Sequence, residues 1–539
     1  MSDRSRVSHF VAASALPLLL FLNSSGCSED NGEAAPGSGG ASLATGGVAD
    51  LGTGGTMGSG GATDAGGAAT GGAATGGTSA GGAGAGGAGA GGAEPGAGGA
   101  ASGGTAPGAG GAATGGSSAG GAASGGADPG SGGTVGTGGA SAGSGGSSSG
   151  IDDYNDEFKE FAGEDCDLPE PMLLSSPDHS LPDPFLMADG SRMSSRSQWA
   201  CQRAWLKKSI EAFVHGSKPG TPDTVSGSVS AGGIQVHVEQ GGSSADFMVP
   251  INLPAGANGA VPGMFRADDS GIPTNFLHGE GVAAIGYSHS AAESAYNSIY
   301  GNGGTTNQIK WAWAVSRAID VLVAERDAGN NDIIDPTSLG TTGCSYAGKS
   351  AFTVGAFDER IALGIPMESG SGGVGSYRVL ADRDLGPNGG EDPEQVSEAC
   401  GGDWLTGQIC SGNVDTVPAD AHFLVAMYAP RGFTTLDNNR IGHLGPVAQY
   451  TAAAAGAEVF KALGIESHVG YHGGNDTDPH NHCSFNASQQ ETARKAIQGF
   501  LTKTAAPANF MEPKLKDAND NPVDFDLQDY INWDTPSLD

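Results

Sequence analysis

The stretch from Gly340 to Gly373, "GTTGCSYAGKSAFTVGAFDERIALGIPMESGSGG", decides the fold. It runs from a strand-like segment through a helix-like segment into a second apolar strand. Ser345 lies where the first strand meets the helix, and a sharp turn there lifts a serine off the sheet, toward the N–H groups of the helix start. Its spacing to Gly343 and Gly348, G-x-S-x-x-G, differs from the common esterase spacing G-x-S-x-G. Ser345 is therefore either a nucleophile or a residue of a tight structural turn.

The same alternation of strand and helix continues on both sides of this stretch. The runs "IQVHVEQ" and "DFMVPINLP" predict paired strands, and "GVAAIGY" predicts a strand buried on both faces. Further on, "GFTTL" and "SHVGYH" predict strands between helices such as "AQYTAAAAGAEVFKALG". Strands that alternate with helices form a parallel sheet covered on both faces. We therefore expect an α/β-hydrolase over residues 151–539, a three-layer sandwich with a mostly parallel central sheet.

The first 150 residues differ from the rest in composition. Residues 1–27 contain two arginines, the apolar run "FVAASALPLLLFL" and the ending "SSGC", which resembles the lipobox of bacterial lipoproteins. Residues 28–150 are mostly Gly, Ala, Ser and Thr in degenerate repeats with few charges, which predicts a disordered tether. We expect a signal peptide that ends at a lipidated Cys27 and an outer-membrane or cell-surface location. Secretion without lipidation is the alternative.

Charge and cysteine content narrow the class of protein further. The net charge of −34 argues against nucleic acid or an anionic membrane as a partner, because neither would meet a basic patch. Apart from Cys27, six cysteines follow the export signal, and an even number in that context predicts disulfides, although sequence alone leaves the pairing open. They are Cys166, Cys201, Cys344, Cys400, Cys410 and Cys483.

Several longer segments resemble one family of carbohydrate esterases. The stretch from Gly343 to Gly373, together with "HFLVAMYAPRG" and "HNHCSFNASQQ", is similar to the glucuronoyl esterases, and the similarity extends from Cys166 to about Lys503. The resemblance implies an α/β-hydrolase that cleaves esters between the glucuronate branches of xylan and lignin alcohols. It also implies a plant cell-wall polysaccharide or a small ester as substrate, no cofactor and a monomeric enzyme.

Carried over residue by residue, the resemblance makes Ser345 the nucleophile, Glu368 the acid and His482 the base. A serine needs a base to take its proton, and the base needs a carboxylate to orient its imidazole. The chain order Ser, Glu, His is that of the fold. Asp437 is the alternative acid because it follows a later strand, and His480 and His472 are the alternative bases.

The resemblance also implies two disulfides. Family members join the cysteine before the serine to the cysteine after the histidine, which pairs Cys344 with Cys483. Cys166 with Cys201 is similar to the first disulfide of the family. Cys400 and Cys410 have no counterpart in the family, and we expect them to pair with each other.

Departures from the family pattern surround the candidate serine. Tyr346 stands where the family has an arginine that stabilises the oxyanion, so only its backbone N–H is left for that role. Lys349 matches a lysine of the family that binds sugar hydroxyls. It can equally be a lysine that caps the helix after Ser345 or extends from it into solvent. At positions where the family contacts the sugar, His443 stands in place of a tryptophan, and a glycine in "ACGGDWLTG" stands in place of a glutamate, while Trp404 remains. These changes predict an altered sugar pocket.

Three other functions compete with this interpretation. The segment "GGNDTDPHNH" places Asp476, Asp478, His480 and His482 at metal-ligand spacing, but no second cluster accompanies it, so we expect no catalytic metal. The altered pocket favours a carboxylesterase with a different ester substrate. A catalytically impaired surface module that binds carbohydrate is the alternative outside the enzymes.

Overall fold

The computed structural model describes residues 159–163, 165–381, 393–474, 482–508, 510–515 and 525–539. The predicted signal peptide, Cys27 and the predicted tether lie outside these residues, as do Asp476, Asp478 and His480. Among the helices in the described ranges, none is both long enough and apolar enough to cross a membrane.

A single ten-stranded sheet organises the described chain, in the order β1-β2-β3-β5-β4-β6-β7-β8-β9-β10. The strands are β1 Thr224–Ser230, β2 Gly233–Gln240, β3 Ser243–Asn252, β4 Val261–Ala267, β5 Ala283–Tyr287, β6 Ile334–Cys344, β7 Ile361–Met367, β8 Gly432–Leu436, β9 Val469–His472 and β10 Phe510–Glu512. Strands β1 to β3 pair antiparallel with one another, and β3 pairs antiparallel with β5. All remaining pairs, from β5 to β10, are parallel.

The helices lie on both faces of this sheet. They are α1 Trp199–Ile210, α2 Thr274–Gly279, α3 His289–Tyr300, α4 Asn307–Asp327, α5 Tyr346–Phe357, α6 Tyr377–Ala381, α7 Val396–Gly401, α8 Gln408–Ser411, α9 Ala421–Met427, α10 Pro446–Ala462 and α11 Ala487–Phe500. Side chains that cap the helix starts fix several of them. Thr306 accepts from the Ile309 N–H at the start of α4, and Asn486 forms a capping box at the start of α11.

Two apolar cores fill the space between the layers. The larger core includes the buried faces of α4, α5, α9 and α10, with Trp311 and Trp313 fully buried. The smaller core lies on the opposite face, where Leu277 of α2 and Ile497 of α11 pack against strand residues such as Ile365. The predicted α/β-hydrolase sandwich with its mostly parallel sheet is confirmed.

The sequence missed elements whose residues are small or mixed in polarity. Strand β1, "TVSGSVS", carries mostly exposed residues and is ordered by its pairing with β2. Strand β4, "VPGMFRA", contains a proline, a glycine and an arginine, yet it lies directly beside the strand that leads to Ser345. Tertiary context overrides local propensity in both strands.

A buried charge cluster closes the amino-terminal edge of the parallel strands. The carboxylate of Glu160 forms short ion pairs with Lys218 and Arg317. Its backbone carbonyl accepts from the N–H of Glu359, at 2.8 Å, just before β7 begins. The described chain therefore enters the domain at the edge opposite the carboxyl ends of the strands.

Candidate active site

Ser345 occupies a strained turn between β6 and α5. Its backbone has φ 56° and ψ −124°, and its N–H donates to the carbonyl of Met367 at 2.9 Å. A Cβ added at Gly343 would lie 2.1 Å from the carbonyl oxygen of Ala347, and one added at Gly348 would lie 2.5 Å from that of Met367. Both glycines are therefore required by close backbone approach. The turn holds the half-buried Ser345 at the carboxyl end of the sheet.

Glu368 and His482 form a hydrogen-bonded pair at the same edge. Glu368 follows β7, is fully buried and has a φ of 46°. Its Oε2 accepts from Nδ1 of His482 at 2.7 Å and from the N–H of Cys483 at 2.9 Å. Because the carboxylate accepts a hydrogen bond from Nδ1–H, the Nε2 nitrogen of His482 carries the lone pair that a general base needs.

A disulfide ties this pair to the serine turn. Cys344 and Cys483 are bonded across a sequence separation of 139 residues. A ring nitrogen of His482 lies within 4.8 Å of the Cys344 sulfur, one residue before Ser345. The structure also contains the disulfides Cys166–Cys201 and Cys400–Cys410. Covalent linkage thus joins the neighbours of the candidate nucleophile and the candidate base.

Asp437, the alternative acid, is committed to other partners. It follows β8 and is fully buried. Its carboxylate accepts from the Tyr471 hydroxyl at 2.5 Å and from Nε2 of Gln449 at 2.6 Å. Burial raises the pKa of Asp437 to about 7, and the charge of Glu368 adds to that shift. Of the two carboxylates, Glu368 is the one that the structure pairs with His482.

His472, one of the alternative bases, is buried at the end of β9. Its Nε2 lies 3.1 Å from the hydroxyl of Ser488, and its Nδ1 lies 3.3 Å from the hydroxyl of Thr492. Both of these hydroxyls belong to α11, so the ring is held against that helix. His480, the other alternative, lies outside the described residues.

Tyr346 begins α5, where the first N–H groups of a helix have no intrahelical partner and point toward a developing negative charge. Its side chain sits among aromatic rings: the centroid distances are 4.7 Å to His289, 4.9 Å to Trp311 and 5.5 Å to Trp404. Burial raises the pKa of the Tyr346 hydroxyl above its ordinary value of 10. The side chain of Tyr346 therefore contributes a neutral aromatic surface beside Ser345.

Lys349 lies one turn further along α5, and its side chain is only 4% exposed. Its ammonium donates to the carbonyls of Ser369 and Ser371, both at 2.7 Å, and to the carboxylate of Glu394 at 2.8 Å. It also lies 4.5 Å from the ring centroid of Trp404. Burial lowers the pKa of Lys349, while the charge of Glu394 opposes the shift. All three N–H groups of the Lys349 ammonium therefore have acceptors within the protein.

His443 adjoins the same group of residues. It is exposed, and its backbone carbonyl accepts from the N–H of Glu394 at 2.7 Å. The disulfide Cys400–Cys410 encloses the loop that carries Trp404. The structure thus brings Lys349, Trp404 and His443 together around Glu394, which the sequence had not singled out.

The site does not suit a metal ion. In the described part of the chain, four residues have donor atoms that lie within 4.8 Å of one another, namely Cys344, Glu368, His482 and Cys483. Two of the four donors are the sulfurs of one disulfide, and a disulfide sulfur offers no thiolate.

Comparison with known proteins supports one family. Residues 236–464 match the family model described as glucuronyl esterase, fungi. The 4-O-methyl-glucuronoyl methylesterase of Neurospora crassa is 31% identical over 370 residues, which are 66% of this chain and 89% of that protein. The enzyme of the same name from Schizophyllum commune is 30% identical and is covered to 95% of its length, against 70% of this chain. The chain belongs to the glucuronoyl esterase family.

Solved structures agree with this assignment. The glucuronoyl esterase catalytic domain from Hypocrea jecorina superposes with a TM-score of 0.60 at 29% identity, and the match covers 69% of this chain and all of that chain. A serine-to-alanine mutant of the Sporotrichum thermophile glucuronoyl esterase, in complex with methyl 4-O-methyl-β-D-glucopyranuronate, gives a TM-score of 0.58 at the same identity and coverage. As a member of this family, the protein is a carboxylic-ester hydrolase.

Two groups in this glucuronoyl esterase were missed by the sequence analysis. Glu394 lies ten residues before Trp404, and the sequence does not reveal that its carboxylate binds Lys349 and the N–H of Ser371. The pair of Asp268 and His289, whose carboxylate and Nδ1 are 2.7 Å apart, joins the loop after β4 to the start of α3. The consecutive acids in "FRADDSG" follow β4 directly, at the edge of the sheet where Ser345 lies. The sequence does not show this position, because the pattern of β4 does not predict a strand.

Proposed function

We propose that this protein hydrolyses esters of glucuronic acid or its 4-O-methyl derivative, in which the uronate is joined to an alcohol of lignin. The observation that carries the proposal is the serine turn held by a disulfide beside the Glu368–His482 pair, in a chain of this family. The substrate is inferred from the names of the relatives and from the methyl glucuronate bound in one of the related structures.

In the proposed mechanism, Ser345 attacks the ester carbonyl while Nε2 of His482 takes its proton. Glu368 orients the imidazole and stabilises the imidazolium that forms. Backbone N–H groups at the start of α5, including that of Tyr346, hold the oxyanion. His482 then protonates the departing alcohol, and a water molecule repeats the cycle on the acyl-enzyme. No cofactor takes part in these steps.

The sugar is proposed to bind on the side of Tyr346 where Lys349, Glu394, Trp404 and His443 lie together. Trp404 offers an aromatic face, and Glu394 offers a carboxylate that accepts from hydroxyls. Lys349 holds Glu394 and the loop after Glu368 in position. This arrangement supports recognition of an uncharged, hydroxyl-rich ring next to the ester.

Hydrolysis of benzyl glucuronate and of an aryl acetate by the full chain tests the proposal. We expect preference for the glucuronate ester, and a fall of at least about a thousandfold in turnover for Ser345→Ala. Ser298→Ala, an exposed serine of α3, is the matched control and should keep full activity. Turnover of the acetate alone would favour another carboxylesterase. Turnover of neither ester would favour a carbohydrate-binding module.

We also propose that the protein is exported and anchored in the outer membrane through a lipidated Cys27, with residues 28–150 as a tether. The support is the charged start, the apolar run and the "SSGC" ending of residues 1–27, followed by a repetitive sequence rich in glycine. Labelling of the full chain with a fatty-acid analogue in a bacterial host, compared with Cys27→Ser, tests this. Incorporation into both chains or into neither contradicts it.

A further inference from the structure

A cavity of about 510 Å³ opens at the carboxyl ends of β4 and β5. Its lining is mixed. Met248, Ile251 and Tyr287 contribute apolar surface, and the polar residues are Asn252, Asp268, Asp269, Thr274 and Ser288. Its volume lies within the range of roughly 300–1,000 Å³ that is typical of small-molecule sites. A lining of apolar side chains with a few polar groups is also typical of such sites.

The loop that lines the cavity packs on the chain just before the candidate nucleophile. Asp268 and Asp269 belong to the loop after β4, and the next residue, Ser270, touches the chain just before Ser345. The hydroxyl of Ser270 lies 3.3 Å from the N–H of Cys344 and 3.5 Å from its carbonyl oxygen. One wall of the cavity is thus formed by the loop that packs directly on the serine turn.

The helix whose start lines the cavity also packs on the segment that carries the candidate base. Thr274, at the start of α2, lines it. Two residues along, the ring of Phe276 packs edge-on against Phe485 at a centroid distance of 5.0 Å, and Phe485 follows Cys483 by two residues. In acyl transfer the base protonates the departing alcohol, so the alcohol leaves beside this segment. The sugar-side group around Lys349 lies by contrast near the loop after β7.

Charge decides which half of an ester suits the cavity. The side chains of Asp268 and Asp269 are 50% and 90% exposed. His289 contacts both carboxylate oxygens of Asp268, through its ring Nδ1 and its backbone N–H, and the Arg266 guanidinium lies 3.4 Å from the carboxylate of Asp269. With one arginine for two carboxylates, this group keeps a net negative charge, which disfavours the uronate anion that hydrolysis releases. Carboxylate oxygens also accept hydrogen bonds from hydroxyls. Both aspartates have positive φ angles, 45° and 57°, a conformation that costs about 1 kcal/mol or more and that collects at functional sites.

We infer that this cavity binds the alcohol half of the ester, an uncharged aromatic alcohol whose ring packs on Met248 and Tyr287 and whose hydroxyls face Asp268 and Asp269. The uronate half then lies on the opposite side of Ser345, with Lys349 and Glu394. This assignment rests on the proposed function, because it requires an ester bond at Ser345.

Gly286 offers a direct test. It lines the cavity, and a Cβ added there meets no atom within 4 Å, so Gly286→Leu fills the space without a backbone clash. We expect the ratio of kcat/KM for benzyl glucuronate to that for methyl glucuronate to fall about tenfold, since only the benzyl ester needs the cavity. Gly303→Leu is the matched control: it is also open, lies outside the cavity lining, and should leave the ratio unchanged.

A second variant protects the test against a folding defect. Met248 is 47% exposed, so Met248→Glu should fold. It should lower the ratio of kcat/KM for the benzyl ester to that for the methyl ester, because it places a charge where the aromatic ring packs. A ratio that neither variant changes would overturn the cavity assignment alone. Equal losses on both esters would overturn it as well, because they indicate general damage to the site. If the unmodified chain turns over neither ester, the proposed function fails, and the cavity assignment fails with it.

Discussion

Glu368 concentrates several unusual properties in one residue. It is a non-glycine residue with a left-handed backbone, it is fully buried, and its carboxylate faces an imidazole that is 43% exposed. Asp437 is equally buried, but it binds a tyrosine hydroxyl and an amide instead. The positions after neighbouring strands thus hold two acids in different environments. Only one of the two orients His482.

Exchange of each acid for its amide separates the two roles. Glu368→Gln should lower kcat by about 10³ to 10⁴, because the amide nitrogen cannot accept from His482 and the imidazole loses its orientation. Asp437→Asn should cost about tenfold or less, since each neutral hydrogen bond is worth about 1 kcal/mol. The measurement is kcat on benzyl glucuronate. The reverse order of losses would make Asp437 the acid.

At this scale the sequence was informative where a residue sits in a distinctive segment. Ser345, Glu368 and His482 each lie in stretches that resemble the family, and the structure brings Glu368 and His482 together. Glu394, Asp268 and His289 could not be predicted, because their partners come from distant segments and depend on how the loops pack. For the same reason, the sequence could not predict that the Asp437 carboxylate accepts hydrogen bonds from Tyr471 and Gln449.

Two disulfides connect the elements around the site. Strand β9 ends at His472, and Cys483 is the point where the segment between β9 and α11 is bonded to the end of β6. The Cys400–Cys410 disulfide closes a much shorter loop around Trp404, with a sequence separation of 10 residues. Each link therefore holds a different side of the site.

Removal of the two links should have different consequences. In the chain-entropy model, loss of Cys344–Cys483 costs about 5 kcal/mol of unfolding free energy and loss of Cys400–Cys410 about 3 kcal/mol, because the closed loops differ in length. We expect the paired variant Cys344→Ala/Cys483→Ala to lose stability and most of kcat. Cys400→Ala/Cys410→Ala, the matched control, should mainly raise KM through Trp404. Denaturant unfolding and steady-state kinetics report both effects, and equal kcat losses in the two pairs would contradict the distinction.

Strands and helices with strong periodicity were predictable, and elements defined by their neighbours were not. Strand β5 is predictable because its residues form a continuous apolar run, and helix α4 is predictable because its apolar residues recur at helical spacing. Strand β4 does not, although it carries the loop that touches the serine turn. Its order comes from hydrogen bonds to β5 and β6 on either side.

At the scale of the whole molecule, three buried histidines make the free energy of unfolding depend on pH. Burial lowers the pKa of His215, His289 and His422 from 6.5 to about 4. Between these values the unfolded chain binds protons that the folded chain does not, so stability present above pH 6.5 is lost as the pH falls toward 4. Asp437 opposes this trend, because its raised pKa lets the folded chain hold one proton below about pH 7.

On unfolding near pH 5, these four groups together take up two protons, three at the histidines less one released by Asp437. Their contribution to the free energy of unfolding therefore falls by up to about 3 kcal/mol for each unit by which the pH decreases. Urea unfolding at a series of pH values checks this. His422→Gln should flatten the slope by about one proton, whereas His179→Gln, at a side chain that is 91% exposed, should not change it. A slope that is the same in all three proteins would contradict the assignment.

The position of Glu160 has a practical consequence. The described chain begins at the amino-terminal edge of the parallel strands, where ion pairs with Lys218 and Arg317 hold it. Ser345 and its neighbours lie at the other edge. Immobilisation of the domain on a solid support through its amino-terminal end should therefore leave the catalytic edge open to a bulky insoluble substrate. Coupling through lysines would sample many orientations and occlude that edge in a fraction of the molecules.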